Sequence, residues 1–191
     1  IIGADECGYG SLAGPVVVCA VKVANDWNLE GLNDSKKLSE KKQNLIQDKL
    51  FQLHKDNEIQ FAISSRSNIE IDSLGIAVAL KQCYADVFIK LYDDNSLLIA
   101  DGNLKFDNLI SRGYTVNSLV KADTYIPAVM AASILGKVHH DSIMYKLHEQ
   151  YPNYDWLGNV GYGSPKHLAA INQYGPSPLH RFSYAPMKNM V

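Results

Sequence analysis

Two adjacent acids at the end of an apolar run are the first residues in this chain whose types could do chemistry. In IIGADECGYGSLAGPVVVCAVKV, Ile1 to Val23, the run stops at Asp5 and Glu6. A glycine-rich turn follows at Gly8-Tyr9-Gly10, and then a second β-branched run from Val16 to Val23. Carboxylates at the mouth of a hydrophobic strand are costly to desolvate and call for a partner, often a cation. Further along, Asp101 closes the run Ser96-Leu97-Leu98-Ile99-Ala100, and Asp123 follows the run Tyr114 to Leu119. In an open α/β sheet, ligands bind beyond the strand ends. Four acids converging there repel one another unless divalent cations neutralise them, and oxygen donors suit Mg²⁺ or Mn²⁺. Two such ions about 3.5–4 Å apart form the clamp used for in-line phosphoryl displacement. Plainer readings exist for two of the acids: Asp123 can cap a helix, and Asp101-Gly102 can be a turn. Asp5-Glu6 has no routine structural purpose. Spacing alone reaches metal-dependent phosphoryl transfer and stops there.

The elements that must position these acids are legible from periodicity. Residues 1–6 and 14–23 read as two strands, the second opened by Gly14-Pro15. GYGSLA matches a dinucleotide fingerprint only superficially, because that motif must open a helix and Pro15 followed by VVVCAVKV opens a strand. Ser39 suits an N-cap, with Leu45, Ile46, Leu50 and Leu53 on one helical face. Lys36 and Lys37 then precede that helix, and Lys41 and Lys42 lie in its first turn; a charge run of this kind is by default a solvated surface. Ile59 to Ser65 is a third strand. A helix capped by Asp72 or Ser73 follows, with Ile76, Leu80, Cys83, Tyr84, Val87, Phe88 and Leu91 on a stripe that core packing explains. The spacing predicts a long helix over Tyr125 to Glu149. Its small residues Ala128, Ala131, Ala132, Ser133 and Gly136 let it lie close against the sheet. The last helix starts at Ser164-Pro165 and stops at Gly175-Pro176, and residues 177–191 read as an irregular wrap.

Bulk properties narrow the class. The 191 residues are 47% hydrophobic and 20% charged, which fits a globular domain and excludes disorder. No apolar run is long enough to span a bilayer, and no basic segment followed by an apolar one opens the chain as a secretory signal would. Three cysteines, Cys7, Cys19 and Cys83, form no CxxC pair, which argues against a disulfide framework or a zinc site and for a reducing cytoplasm. The net charge of −2 gives nucleic acid no general attraction, so any such partner must meet a local basic face.

Taken together, DECGYGSLAGPVV, GLNDSKKLSEKK, ADGN, VKAD, AASILGKV, the pair His140-Asp141, GYGSPKH and GPSPLHRFSYAP resemble the ribonuclease HII family, in order and spacing, from Gly3 to about Pro186. The resemblance implies an α/β ribonuclease H-like fold: a mixed central sheet flanked by helices, with a C-terminal helical extension. It implies one domain over 1–191, with a catalytic core in 1–150 and a substrate-contacting extension in 151–191. It also implies cleavage of the RNA strand of RNA–DNA hybrids and nicking 5′ of ribonucleotides embedded in DNA, leaving 3′-hydroxyl and 5′-phosphate ends. The family's metal-binding catalytic acids match Asp5, Glu6, Asp101 and Asp123, which would hold Mg²⁺ or Mn²⁺. Its turn reading the ribose 2′-hydroxyl falls on Gly8, Tyr9 and Gly10, and its tyrosine beside the next deoxynucleotide on Tyr162. Its phosphate-holding lysines match Lys36 and Lys37, and Lys137 falls in a block near the site. Backbone groups on a glycine turn can approach a 2′-hydroxyl closely, which gives that assignment a physical basis. His139, His140, His167 and His180-Arg181 are further candidates for the basic face, although each alone reads as surface or packing. Three departures stand out. Tyr9 replaces the usual arginine of a Gly-Arg-Gly turn, His139-His140 replaces a frequent Thr-Arg pair, and Ser164 stands where threonine is usual. The resemblance leaves a sliding-clamp contact open, and a monomer is expected. Ribonuclease HIII, a sister family with the same acids, carries an additional N-terminal substrate-binding domain.

Overall fold

A computed structural model describes residues 1–32 and 40–190. Five strands, β1 (Ile2–Cys7), β2 (Val16–Lys22), β3 (Gln60–Arg66), β4 (Leu98–Asp101) and β5 (Val116–Leu119), form one mixed sheet of order β3-β2-β1-β4-β5. The β1–β4 and β4–β5 pairs are parallel, with Ala4 opposite Ala100 and Asp101 opposite Leu119. The helices are α1 (Glu40–Lys55), α2 (Asn68–Leu74), α3 (Ile76–Leu91), α4 (Asp107–Ile110), α5 (Pro127–Gln150), α6 (Trp156–Asn159) and α7 (Pro165–Tyr174).

The chain divides into two compact units. One comprises Ile1–Glu6, Val18–Ser64 and Lys81–Gly136; the other comprises Cys7–Val17, Ser65–Leu80 and Lys137–Val191. In the first, Cys19 and Val21 of β2 bury with Ile46 and Leu50 of α1 and with Ala128, Ala131, Ala132 and Leu135 of α5. The close approach expected from the small residues of α5 is present. A Cβ on Gly3 would lie 2.6 Å from the Val129 nitrogen, and one on Gly136 would lie 3.2 Å from the Cys19 Cβ. Such distances admit only glycine at position 3 and leave little room at 136. In the second unit, Leu12, Met144, Tyr154, Trp156 and Ile171 form a separate core.

Ser164 caps α7 as expected, its hydroxyl accepting the His167 N–H, and Gly175 closes the helix. The helix expected to follow an Asp72 or Ser73 cap is α3, which starts at Ile76, and a separate helix, α2, unforeseen in the sequence, precedes it. Ser67 caps α2 in a reciprocal capping box with Glu70, and Gly75, at φ +80°, breaks the chain before α3. The expected stripe, Ile76 to Leu91, lies wholly within α3, so its periodicity carries no sign of α2. Asp72 anchors the C-terminal segment rather than a helix start. Its carboxylate accepts the Phe182 and Ser183 N–H groups, both at 2.8 Å, and the Ser183 hydroxyl at 2.6 Å. No helix among the described residues is long and apolar enough to cross a membrane.

Candidate active site

Parallel pairing determines where the acids stand in the first unit. With Ala4 opposite Ala100, the next residues, Asp5 within β1 and Asp101 at the end of β4, follow side by side on neighbouring strands. Asp5 is buried and Glu6 half-buried. Burial pushes the Asp5 carboxyl up to about 7, the Ser133 hydroxyl opposes that rise, and the charges of Glu6 and Asp101 add to it. The Glu6 N–H donates to Asp5 Oδ1 at 2.8 Å. Asp101 accepts the Ala122 N–H at 2.7 Å, which ties the end of β4 to the turn Ala122–Thr124. Asp123 sits in that turn and is buried; Lys121 enters it in the left-handed conformation at φ +60°. The donors are all oxygens, which fits a hard divalent cation in chemistry. They are not drawn into a finished cage, for among the described residues no three His, Cys, Asp or Glu side chains form a metal-holding group.

Sequence reasoning missed Tyr84. On α3 it packs against Phe88 and Phe106 as a core residue should, yet its hydroxyl donates to Glu6 Oε2. Burial and then the Glu6 charge push its phenol well above the usual tyrosine range, so it stays a donor. The only signal in the sequence is that a buried tyrosine, unlike a phenylalanine, needs a partner for its oxygen.

The second unit carries the turn. Gly8 has φ +79°, and a Cβ there would meet His140 Nε2 at 2.6 Å and the Pro15 carbonyl oxygen at 2.7 Å, so only glycine fits. Its N–H donates to the Tyr162 hydroxyl at 3.2 Å, and Tyr162 is partly exposed beside the turn. Tyr9 and Gly10 are exposed at the tip. Lys137 donates to Asp141 Oδ2 at 2.5 Å; burial works against its charge, but the carboxylate outweighs burial and raises its pKa. Lys36 and Lys37 lie outside the described residues.

Four of the candidates for a basic face belong to the interior instead. His140, His167, His180 and Arg181 are fully buried. His167 Nδ1 lies 2.8 Å from the Tyr162 carbonyl oxygen and therefore carries a hydrogen, leaving Nε2 to accept the Trp156 indole N–H at 3.1 Å. His180 Nδ1 accepts the Ser177 N–H at 2.9 Å, so its Nε2–H points at His167, 3.0 Å away. Both rings fit this network only as neutral imidazoles. Burial, and then repulsion from His167 whenever that ring is protonated, hold the His180 pKa down to about 4.

A mixed five-stranded sheet of this order, with carboxylates side by side on adjacent parallel strands, places the chain in the α/β class with a ribonuclease H-like fold. The family model for ribonuclease HII matches residues 2–187. A ribonuclease HII from Wolbachia sp. subsp. Brugia malayi is 40% identical over 190 residues, covering 99% of this chain and 89% of its own. The chain therefore belongs to the ribonuclease HII family, whose enzymes cut the RNA of RNA–DNA hybrids. Two solved structures share the fold. The PCNA:RNase HII complex from Archaeoglobus fulgidus superposes with a TM-score of 0.79 at 24% identity, covering 96% of this chain and 94% of that one. Bst-RNase HIII in complex with Mn²⁺ gives a TM-score of 0.72 at 20% identity, covering 98% and 67%.

Proposed function

We propose that the chain hydrolyses the RNA strand of hybrids, and nicks 5′ of ribonucleotides embedded in duplex DNA, with two divalent cations held by Asp5, Glu6, Asp101 and Asp123. The observation that carries this reading is the parallel register of β1 with β4, which sets Asp5 and Glu6 beside Asp101 toward the C-terminal ends of the two strands. Mg²⁺ or Mn²⁺ bound there would polarise the scissile phosphate and activate water for in-line attack, leaving a 3′-hydroxyl and a 5′-phosphate. The protein's own contribution is to hold the carboxylates in place: Glu6 through Tyr84, Asp5 through the Glu6 amide, and Asp101 through the Ala122 amide. The Gly8-Tyr9-Gly10 backbone reads the ribose 2′-hydroxyl, the one group that separates RNA from DNA at a given nucleotide. Tyr162 packs on the following sugar, and Lys36, Lys37 and Lys137 contact phosphates as point charges. Tyr9 in place of arginine keeps the backbone contacts and removes a charge, which shifts preference away from a lone embedded ribonucleotide. The Mn²⁺-bound neighbour supports the metal requirement, and the PCNA complex makes a sliding clamp the first partner to test; a monomer in the cytoplasm completes the proposal.

The test is cleavage of a DNA duplex carrying one ribonucleotide, beside a long RNA–DNA hybrid, in Mg²⁺, Mn²⁺ or EDTA, for the native chain and for Asp5→Asn. Metal-dependent nicking 5′ of the ribonucleotide, lost in Asp5→Asn and in EDTA, is the expected result. Cleavage that persists in Asp5→Asn would overturn the assignment of the acids. An unchanged ratio of single-ribonucleotide to hybrid cleavage in Tyr9→Arg would overturn the role given to Tyr9.

A further inference from the structure

The guanidinium of Arg181 is fully buried and has all five of its N–H bonds engaged. Nη2 donates to the carbonyl oxygens of Gly8 at 2.7 Å and Pro15 at 2.8 Å. Nη1 donates to the Tyr9 carbonyl oxygen at 2.9 Å and to the Tyr184 hydroxyl at 3.3 Å, and Nε donates to the Gly14 carbonyl oxygen at 3.1 Å. Tyr184 donates in turn to the same Tyr9 oxygen at 2.9 Å, and its ring lies 5.1 Å from the guanidinium carbon. None of these five acceptors is a carboxylate. A buried charge without a counter-ion is expensive, and this one is stabilised by carbonyl dipoles taken from both ends of the glycine turn.

In a trans peptide the C=O and N–H bonds point to opposite sides. With the Gly8 and Tyr9 oxygens drawn inward to Arg181, the N–H groups of Tyr9 and Gly10 face outward at the exposed tip. Among the described residues neither N–H has an acceptor. Each is the far end of a chain running guanidinium, carbonyl, amide. A cation bonded to the oxygen polarises the peptide and makes its N–H a stronger donor. The buried positive charge is thereby expressed at the surface as two adjacent, aligned donors without a charged side chain beside the substrate.

From this geometry we infer that Arg181, assisted by Tyr184, is a positioning residue for ribose recognition: it fixes and polarises the Tyr9 and Gly10 N–H groups that donate to a ribonucleotide's oxygen. The inference rests on the proposed reading of the turn and identifies what gives that turn its selectivity. A packing role alone would weaken all substrates equally. A positioning role acts on the difference between a ribonucleotide and a deoxynucleotide.

The experiment uses the full chain carrying Asp5→Asn, so that binding is measured without cleavage. Affinity is compared for a DNA duplex with one ribonucleotide and the same duplex with a deoxynucleotide there. Tyr184→Phe, which removes one hydroxyl and leaves the ring, lowers the ribo-to-deoxy affinity ratio about three- to tenfold; Arg181→Lys lowers it further. Affinity for the all-DNA duplex changes less than about twofold in Tyr184→Phe, and the Gly10 amide ¹⁵N–¹H signal moves with the ratio. A parent that does not prefer the ribonucleotide would overturn the reading of the turn itself. A parent with the preference, and a Tyr184→Phe variant with unchanged ratio and unchanged Gly10 signal, would overturn the role of Arg181. Equal losses on both duplexes would overturn it too, leaving Arg181 a packing residue. Should Arg181→Lys fail to fold, Tyr184→Phe decides the matter alone.

Discussion

At the scale of single residues, the acids depend on groups that do no chemistry themselves. Tyr84 gives Glu6 a donor from inside an aromatic cluster, so Tyr84→Phe keeps the packing and removes that hydrogen bond. A hydrogen bond to a charged group is worth about 1.5–3 kcal/mol. We expect hybrid cleavage to fall about tenfold in kcat while thermal unfolding shifts little, checked by steady-state kinetics beside a melting curve. Gly8→Ala has the opposite signature. The left-handed φ and the 2.6 Å approach to His140 Nε2 both oppose a Cβ, so folding stability drops by about 2–4 kcal/mol in urea denaturation. The acids were legible in the sequence because charge at the end of an apolar strand is conspicuous. Tyr84 and Arg181 were not. A tyrosine on an apolar stripe looks like core, and an arginine in a polar tail looks like surface. Only the folded chain shows that four carbonyl groups surround that arginine.

At the scale of elements, α5 carries the clearest contrast between glycines. A Cβ on Gly3 of β1 would meet backbone of α5, which cannot yield without moving the helix; a Cβ on Gly136 would press on the Cys19 side chain at 3.2 Å. Gly3→Ala is therefore expected to cost about 3 kcal/mol or more. Gly136→Ala gains about 1 kcal/mol of helix propensity against a small steric cost and lands within about 1 kcal/mol of neutral. Chemical denaturation of the two variants checks the pair. The same elements show what pattern can and cannot reach. α5 and α7 begin close to where Pro127 and Ser164-Pro165 put them, because proline and a capping hydroxyl act locally. The short helix α2 escaped notice because its Ser67–Glu70 capping box opens only seven helical residues, too few for a clear apolar period. β4 and β5 were found as runs, but the parallel register of β4 with β1, which brings Asp101 beside Asp5, is set by long-range pairing that no local pattern encodes.

At the scale of the whole molecule, a net charge of −2 limits non-specific attraction to nucleic acid. If Lys36, Lys37 and Lys137 carry the phosphate contacts, the plot of log affinity against log salt concentration should fall with a slope of about −3 on duplex substrates. A slope near −8 would mean that several more basic residues than these three contact phosphates. Stability should depend on pH through the neutral histidine pair. The His180 pKa is lowered from 6.5 to about 4 in the folded chain, so between those values the unfolded chain binds more protons. That contribution is complete above about pH 6.5 and is lost as pH falls toward 4. Urea midpoints at pH 7.5 and 5 should differ in that direction, and an NMR titration should find His180 protonating near pH 4. The same C-terminal segment determines the order in which the molecule can be completed. Arg181 closes on a turn 173 positions earlier in the chain, and a contact that distant forms late, because the loop it closes must first lose its freedom. During synthesis Asp5, Glu6, Asp101 and Asp123 have all left the ribosome long before Arg181 has been added. On the proposed reading, the nascent chain therefore holds its metal-binding acids before it holds the anchor for its ribose-reading turn. Selectivity would then be acquired after the acids are in place, and pulse-labelled hydrogen exchange should find the amides of residues 8–16 gaining protection after those of the strands that carry the acids.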